Sequence, residues 1–238
     1  MKLLSYKELE RIAKFDIPTL SNGLDRLNVR PLNKGFMDSS IKEIIPKSKT
    51  YIGYAATAKI SCDVPASEEQ KDNLLKYYNH VKGTQGPTIT VVEDVDPVPV
   101  GALWGEVNVL THLAIGCVAA VTNGGARDLN EIEKLDFGCF ASGRVTARAY
   151  LHVIECGCTV HVGGIEVNPM DLICADRHGV IVIPHQAAPY LADACIEDIE
   201  SERALIENLR KVVEAKEELD MEALRRWREE SAAYHKSV

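Results

Sequence analysis

The stretch that decides the fold is "GALWGEVNVLTHLAIGCVAAVTNGGARDL", from Gly101 to Leu129. It is mostly apolar, and charge brackets it: Glu106 near one end and Arg127-Asp128 at the other. Trp104 to Leu113 is expected to form a helix behind Gly101. "CVAAVTN" (117–123) reads as a short strand buried on both faces, because apolar residues run on without alternation. A Gly-Gly turn would then deliver Arg127-Asp128 to the carboxyl end of that strand. "LNEIEKL" (129–135) reads as a helix and "GCFASG" (138–143) as the next strand. This β-α-β cadence predicts an α/β fold with partly parallel strands.

The same reading extends outward. Upstream, "PTITVVEDVD" (87–96) is a strand ending in acids and prolines. "SEEQKDNLLKYYNHV" (67–81) is a helix closed by Gly83 and Pro87, and "TYIGYAATAKI" (50–60) is a strand. Residues 6–28 form two helical pieces, Lys7 to Lys14 and a second opened by Pro18-Thr19 and running to Leu27. Downstream, residues 158–184 read as a four-strand antiparallel meander, a barrel-like wall whose last turn is Asp176-Arg177-His178-Gly179. Beyond Pro189 the chain is helical, with Asp220 as the N-cap of a final helix from Met221 to Glu230. The expected division is an α/β body over 1–189 and a helical extension over 190–238, whose apolar spacing asks for the body or a neighbouring subunit as a partner.

Composition narrows the function classes. With 238 residues, 46% of them hydrophobic, the chain has enough material for a full core. Its formal net charge of −8 and its lack of a basic stripe point away from nucleic acid. No apolar run reaches membrane-spanning length and the first residues carry no secretory signature, so a cytoplasmic protein is expected. Seven cysteines in apolar surroundings read as buried thiols. Cys156-Gly-Cys158 lacks the spacing and the second pair that a zinc site needs. There is no GxGxxG loop for a dinucleotide and no glycine-rich cofactor loop of the kind a methyltransferase would need.

The chemistry concentrates in the bracket. Arginine grips a planar carboxylate through two parallel hydrogen bonds, and aspartate is a hard oxygen ligand suited to Mg²⁺ or Mn²⁺. Strand ends are favoured ligand positions in α/β sheets. Two readings of Arg127-Asp128 stand at this point: a ligand and metal site, or a surface ion pair with Asp128 capping the helix that follows. Glu106 either holds the Arg127 guanidinium by a salt bridge or simply places favourable charge at a helix N-terminus. The Gly101-to-Gly105 loop exposes backbone N–H groups suited to an anion. His178 in its turn is a weaker candidate base. His112 and His152 read as core or interface residues on apolar helical faces. Asn123 is expected near the Glu106 loop, and Trp104 along the pocket wall.

Gly101-x-x-x-Gly105-Glu106, twenty intervening residues, then Arg127-Asp128 resembles the signature of the RraA-like family, which includes class II 4-hydroxy-4-methyl-2-oxoglutarate aldolases and regulators of ribonuclease activity. "VTNGGARDLNEIEKLDFGCFASG" and "VHVGGIEVNPMDLICADRHGVIVIP" are similar to the family's segments, with Met170 where a glycine is usual before Asp171. The resemblance covers roughly residues 15–210 and implies a layered β/β/α swivelling-domain-like fold, assembled as a trimer or hexamer.

For function, the resemblance implies a divalent-metal-dependent lyase. A 2-oxo acid would be cleaved to pyruvate, with oxaloacetate decarboxylation possible at the same site. Arg127 would bind the substrate carboxylate and Asp128 would ligate Mg²⁺ or Mn²⁺. Glu106 would orient Arg127, and Gly101, Ala102, Leu103, Trp104 and Gly105 would line the substrate with backbone N–H groups. The ion would serve as a Lewis acid, so no Schiff-base lysine is required. An acid from a neighbouring subunit's C-terminal helix would complete the site; Glu197, Glu200 and Glu202 are candidates, Glu200 first because it precedes Arg203 by three residues. The other function the resemblance allows is a non-catalytic regulator that binds an RNA-degradation enzyme.

Overall fold

In a computed structural model, which describes residues 3–237, the chain forms one mixed sheet flanked by helices. Two short helices come first. The first, α1 (Tyr6–Ile12), starts at a capping box in which Ser5 and Glu8 satisfy each other's backbone N–H groups; α2 (Ile17–Arg26) starts at Asp16, whose carboxylate accepts the Thr19 amide. Strands β1 (Lys42–Glu43) and β2 (Tyr51–Ser61) follow, then α3 (Asn73–Gly83) and β3 (Thr88–Asp94). The quoted stretch gives α4 (Glu106–Ala114) and β4 (Cys117–Ala126), followed by a single turn of helix, α5 (Leu129–Ile132), and β5 (Gly138–Arg144). Then come β6 (His152–Cys156), β7 (Val160–Val162), β8 (Ile165–Val167), β9 (Leu172–Asp176), β10 (Gly179–Ile183), α6 (Ala188–Ala215) and α7 (Met221–Ser237). Asp220 caps α7, accepting the Glu222 amide at 2.9 Å.

The sheet has eight strands in the order β1-β5-β4-β3-β2-β9-β10, with β6 also on β2. β2, β3, β4 and β5 run parallel, so their carboxyl ends share one edge. β2 divides its other side: its first half pairs with β9 and its second half with β6, both antiparallel. β2 is buried along nearly its whole length, with residues in apolar clusters on both faces of the sheet. Three apolar clusters result, one under α3 and α4, one under α1, α2 and the start of α6, and one beneath the β7–β8 hairpin.

Two expectations need correction. The segment 158–184 is not one continuous meander: β7 and β8 form a separate two-stranded sheet, while β9 and β10 join the main one. The hairpin shares one apolar cluster with Ile173, Ala175 and Val180 of β9 and β10, whose other face (Leu172, Cys174, Ile181, Ile183) packs with α1, α2 and α6. Strand β6 also lies in a stretch left unassigned from sequence, and it places His152 on a strand instead of a helix. Among the described residues no helix is long and apolar enough to cross a membrane. All seven cysteines are free thiols, and Cys156 and Cys158 join no group of three ligand-type side chains among the described residues.

Candidate functional site

Three segments meet where β4 ends. Trp104 forms an isolated parallel bridge with Ala126, and its carbonyl accepts the Arg127 amide at 2.9 Å. From the other side the Val145 amide donates to the Ala126 carbonyl at 3.1 Å. The backbone that presents Arg127 is thus clamped between the 101–105 loop and the segment after β5. Gly124 and Gly125 are not a turn, as the sequence suggested, but part of β4 at a register shift. A Cβ on Gly125 would stand 2.5 Å from the Val145 side chain, so glycine is needed for that close approach.

Asp128 has left-handed backbone geometry, φ 53° and ψ 42°. Aspartate tolerates this region better than most residues, but it still costs stability, and such strain concentrates at functional sites. The left-handed turn swings the carboxylate away from the helix it precedes: the side chain makes no capping bond to α5. Its Oδ2 instead accepts the Glu106 amide at 3.1 Å, at the N-terminus of α4, where the helix dipole favours negative charge. Oδ1 lies 3.5 Å from the Arg127 Nη1 atom. Both side chains remain about one-third exposed, 36% and 32%. Gly105 makes this convergence possible, since a Cβ there would sit 2.6 Å from Asp128 Oδ2 and 3.3 Å from Arg127 Nε.

The expected Glu106–Arg127 salt bridge does not form; the ion pair of Arg127 is with Asp128. The turn at Asp128 puts that carboxylate beside the guanidinium, while Glu106 stands exposed on the first turn of α4. Asp128 touches both, through the Glu106 amide and the Arg127 guanidinium.

The loop supplies backbone and not side chains. Ala102, Leu103 and Trp104 are buried, and the Trp104 indole packs against His112 and Phe137 with ring centroids 4.7 and 6.0 Å away. Trp104 therefore braces the loop from the core. The Ala102 amide is engaged by the Ala147 carbonyl at 3.1 Å, whereas the Leu103 and Gly105 amides donate to no acceptor among the described residues. His112 is buried on α4. Its Nδ1 lies 2.6 Å from the Asn108 carbonyl, which can only accept, so Nδ1 carries the proton and Nε2 accepts from the Tyr77 hydroxyl at 2.8 Å. Burial pushes its pKa down to about 4, which keeps the ring neutral.

Asn123 does not reach the Glu106 loop. It pairs with the Asp94 backbone in both directions, each bond 2.8 Å, and ties the ends of β3 and β4 together. Beside it lies a cluster unforeseen from sequence: Cys62, Asp94 and Asp96, with ligand-type atoms within 4.8 Å of one another. The Asp96 carboxylate accepts the Ser61 hydroxyl and the Cys62 and Asp63 amides at 2.6, 2.6 and 2.9 Å. Burial works against its charge, but these bonds hold it below the usual carboxylate range. Burial pushes Asp94 up to about 6, and its Oδ2 has no partner. Burial and both carboxylates push the Cys62 thiol up to about 12. The bonds to Asp96 tie this cluster to the ends of β2 and β3. In sequence its only signal is "EDVDP", which looks like an ordinary acidic strand end.

The remaining candidates fall elsewhere. The turn after Asp176 forms as expected, with the His178 amide donating to Asp176 Oδ1 at 2.7 Å and the His178 ring on the same carboxylate. Asp176 also accepts the Ile17 amide at 2.9 Å, so it joins β9 to α2. α6 packs on α1, α2 and α7. Glu197 pairs with Arg26 at 2.9 Å, Glu200 pairs with Arg203 on its own helix, and Glu202 is exposed beside the groove formed with Asn22 and Asp25.

Comparison with known proteins shows the family and the fold. The sequence model of the RraA-like family (Aldolase/RraA) matches residues 18–182. An uncharacterised protein of Methanocaldococcus jannaschii is 26% identical over 223 residues, covering 93% of this chain and 98% of its own. An uncharacterised protein of Pseudomonas syringae pv. tomato has a similar structure, with a TM-score of 0.71 at 20% identity over 94% of this chain and 95% of that one. Streptomyces coelicolor RraAS2, described as an unusual member of the RNase ES inhibitor RraA family, gives a TM-score of 0.68 at 18% identity over 85% of this chain and 97% of its own. These structural likenesses establish the layered β/β/α fold.

Proposed function

We propose that this chain, which belongs to the RraA-like (Aldolase/RraA) family, is a divalent-metal-dependent carbon–carbon lyase that releases pyruvate from a 2-oxo acid. The observation that carries the reading is the left-handed Asp128, whose carboxylate leaves its own helix uncapped to meet Arg127 and the α4 N-terminus. A plain helix cap would need neither the strain nor a glycine at position 105.

The residues fit the group the family implies. Asp128 offers one hard, partly exposed oxygen, and Mg²⁺ or Mn²⁺ is commonly held by one or two carboxylates with water filling the other positions. Once bound, the ion supplies a Lewis acid for the 2-oxo group. Arg127 presents a partly exposed guanidinium whose planar fork matches the substrate carboxylate. The Leu103 and Gly105 amides offer N–H groups for developing negative charge, positioned before reaction by the clamp on β4. Glu106 fixes the loop through its amide and leaves its carboxylate exposed at the mouth of the site. Catalysis of oxaloacetate decarboxylation by the same residues belongs to this reading.

We place the second half of α6 and α7 at a subunit boundary in a trimer or hexamer. Ile206, Val213 and Met221 are exposed there, and a neighbour's Glu200 is the acid proposed to reach the site. A cytoplasmic location accords with free thiols throughout. The test is a screen of 2-oxo acids with Mg²⁺ or Mn²⁺, coupled to pyruvate detection, with light scattering at micromolar concentration. Metal-dependent pyruvate release from a multimer supports the proposal. Absence of turnover across the series, with a monomeric mass, contradicts it.

A further inference from the structure

A cavity lies at the opposite end of the sheet from Arg127 and Asp128. It has a volume of about 420 Å³ and is bounded by the α1–α2 junction, the segment before β2 and the β9–β10 turn. Its wall brings together Lys14, Lys47, Lys49, Arg177 and His178. Three separate chain segments thus bring cations to one opening, in a protein whose formal net charge is −8.

The two carboxylates in the wall are already committed to backbone. Asp16 caps α2 through Thr19, and Asp176 accepts the Ile17 and His178 amides. Of the cations, Lys47 donates to the Glu133 carbonyl and Lys49 pairs with Asp136 at 2.5 Å. Lys14 and Arg177 make no ion pair or side-chain hydrogen bond among the described residues. Glu43 stands behind the wall with one oxygen on the Lys47 amide, and burial pushes its carboxyl towards the neutral form. The lining sets four cations, Lys14, Lys47, Lys49 and Arg177, against two carboxylates, Asp16 and Asp176, a formal charge of +2. Among the described lining residues the one ring is that of His178, so charge and not stacking dominates the wall.

We propose that this cavity binds a small phosphate-bearing anion, with Lys14 and Arg177 as its principal contacts. Lysine and arginine are both established phosphate ligands, one as a point charge and the other as a fork. The site is independent of the lyase reading, because it shares no residue with the bracket at the other strand ends.

The test is calorimetric titration of the intact protein with inorganic phosphate and, separately, with pyrophosphate. Saturable binding is expected, at least tenfold weaker in Arg177→Glu and in Lys14→Glu and unchanged in Arg127→Ala. Both cavity side chains are exposed, so their variants should keep the wild-type circular dichroism. Amide shifts at Ile17 and Gly179 on titration would place the anion in this cavity by a second route. Tighter pyrophosphate binding identifies a diphosphate-sized ligand, and equal binding a single phosphate group. No saturable binding of either anion, or binding that survives both charge reversals, overturns the proposal.

Discussion

The carboxylate of Asp128 reaches across to the amide of Glu106, 3.1 Å away, and leaves the helix that Asp128 begins without a side-chain cap. One aspartate thereby joins the end of β4 to the start of α4 and stands beside Arg127.

Gly105 is the position most sensitive to this arrangement. The first atom a Cβ there would meet is a side-chain oxygen of Asp128, not backbone. Gly105→Ala should therefore displace the carboxylate while the fold persists. The expected outcome is a loss of about one to two decades in kcat/KM, the size of one charge-assisted contact of about 1.5–3 kcal/mol, with thermal unfolding little changed. An alanine variant with full activity would show that the contact is dispensable.

Relieving the backbone at Asp128 should separate stability from activity. Glycine adopts left-handed geometry without a steric penalty, so Asp128→Gly removes strain but also the carboxylate. Denaturant unfolding should show stability within about 1 kcal/mol of wild type, while lyase activity disappears. A large loss of stability would mean that the link to Glu106 holds the fold together and is chiefly structural.

The acid pair behind the site predicts a pH signature. The pKa of Asp94 rises from 3.8 to about 6 in the fold. Its contribution to stability is therefore complete below pH 3.8 and is lost as pH rises through 6, a swing on the order of 3 kcal/mol. His112 works in the opposite direction: its pKa falls from 6.5 to about 4, so it removes stability as pH drops through that window. Asp94→Asn should cancel only the first trend. Unfolding free energies at pH 5 and pH 7 should show the variant gaining on wild type at the higher pH. Parallel pH profiles would contradict the assignment.

The parallel centre of the fold was legible because residues 87–143 alternate short apolar runs with polar helical stretches. The cap at Asp220 follows from local chemistry alone. Other features depend on partners distant in sequence. Gly124-Gly125 looks like a turn until Val145 is packed against it. β6 has no alternation of its own and takes its place from the second half of β2. Asp94 reads as a surface acid in "VVEDVDP", and only the closure of β3 against β4 buries it. At the site, the spacing marked Arg127, Asp128 and Glu106 together, but the left-handed turn that decides which of them touch is a backbone choice that residue types do not specify.

The most direct measurement of the central proposal is steady-state pyruvate release from one cleavable 2-oxo acid, with bound metal assayed in parallel. Wild-type activity should vanish on exhaustive chelation and return with Mg²⁺ or Mn²⁺. Arg127→Lys should lose about one to two decades in kcat/KM, since the charge remains but the planar fork is gone, and Asp128→Ala should lose both the metal and nearly all turnover. An Asp128→Ala protein that keeps its metal and a near-wild-type rate, or a wild-type activity that survives chelation, would contradict the account and leave Arg127 and Asp128 as a structural pair.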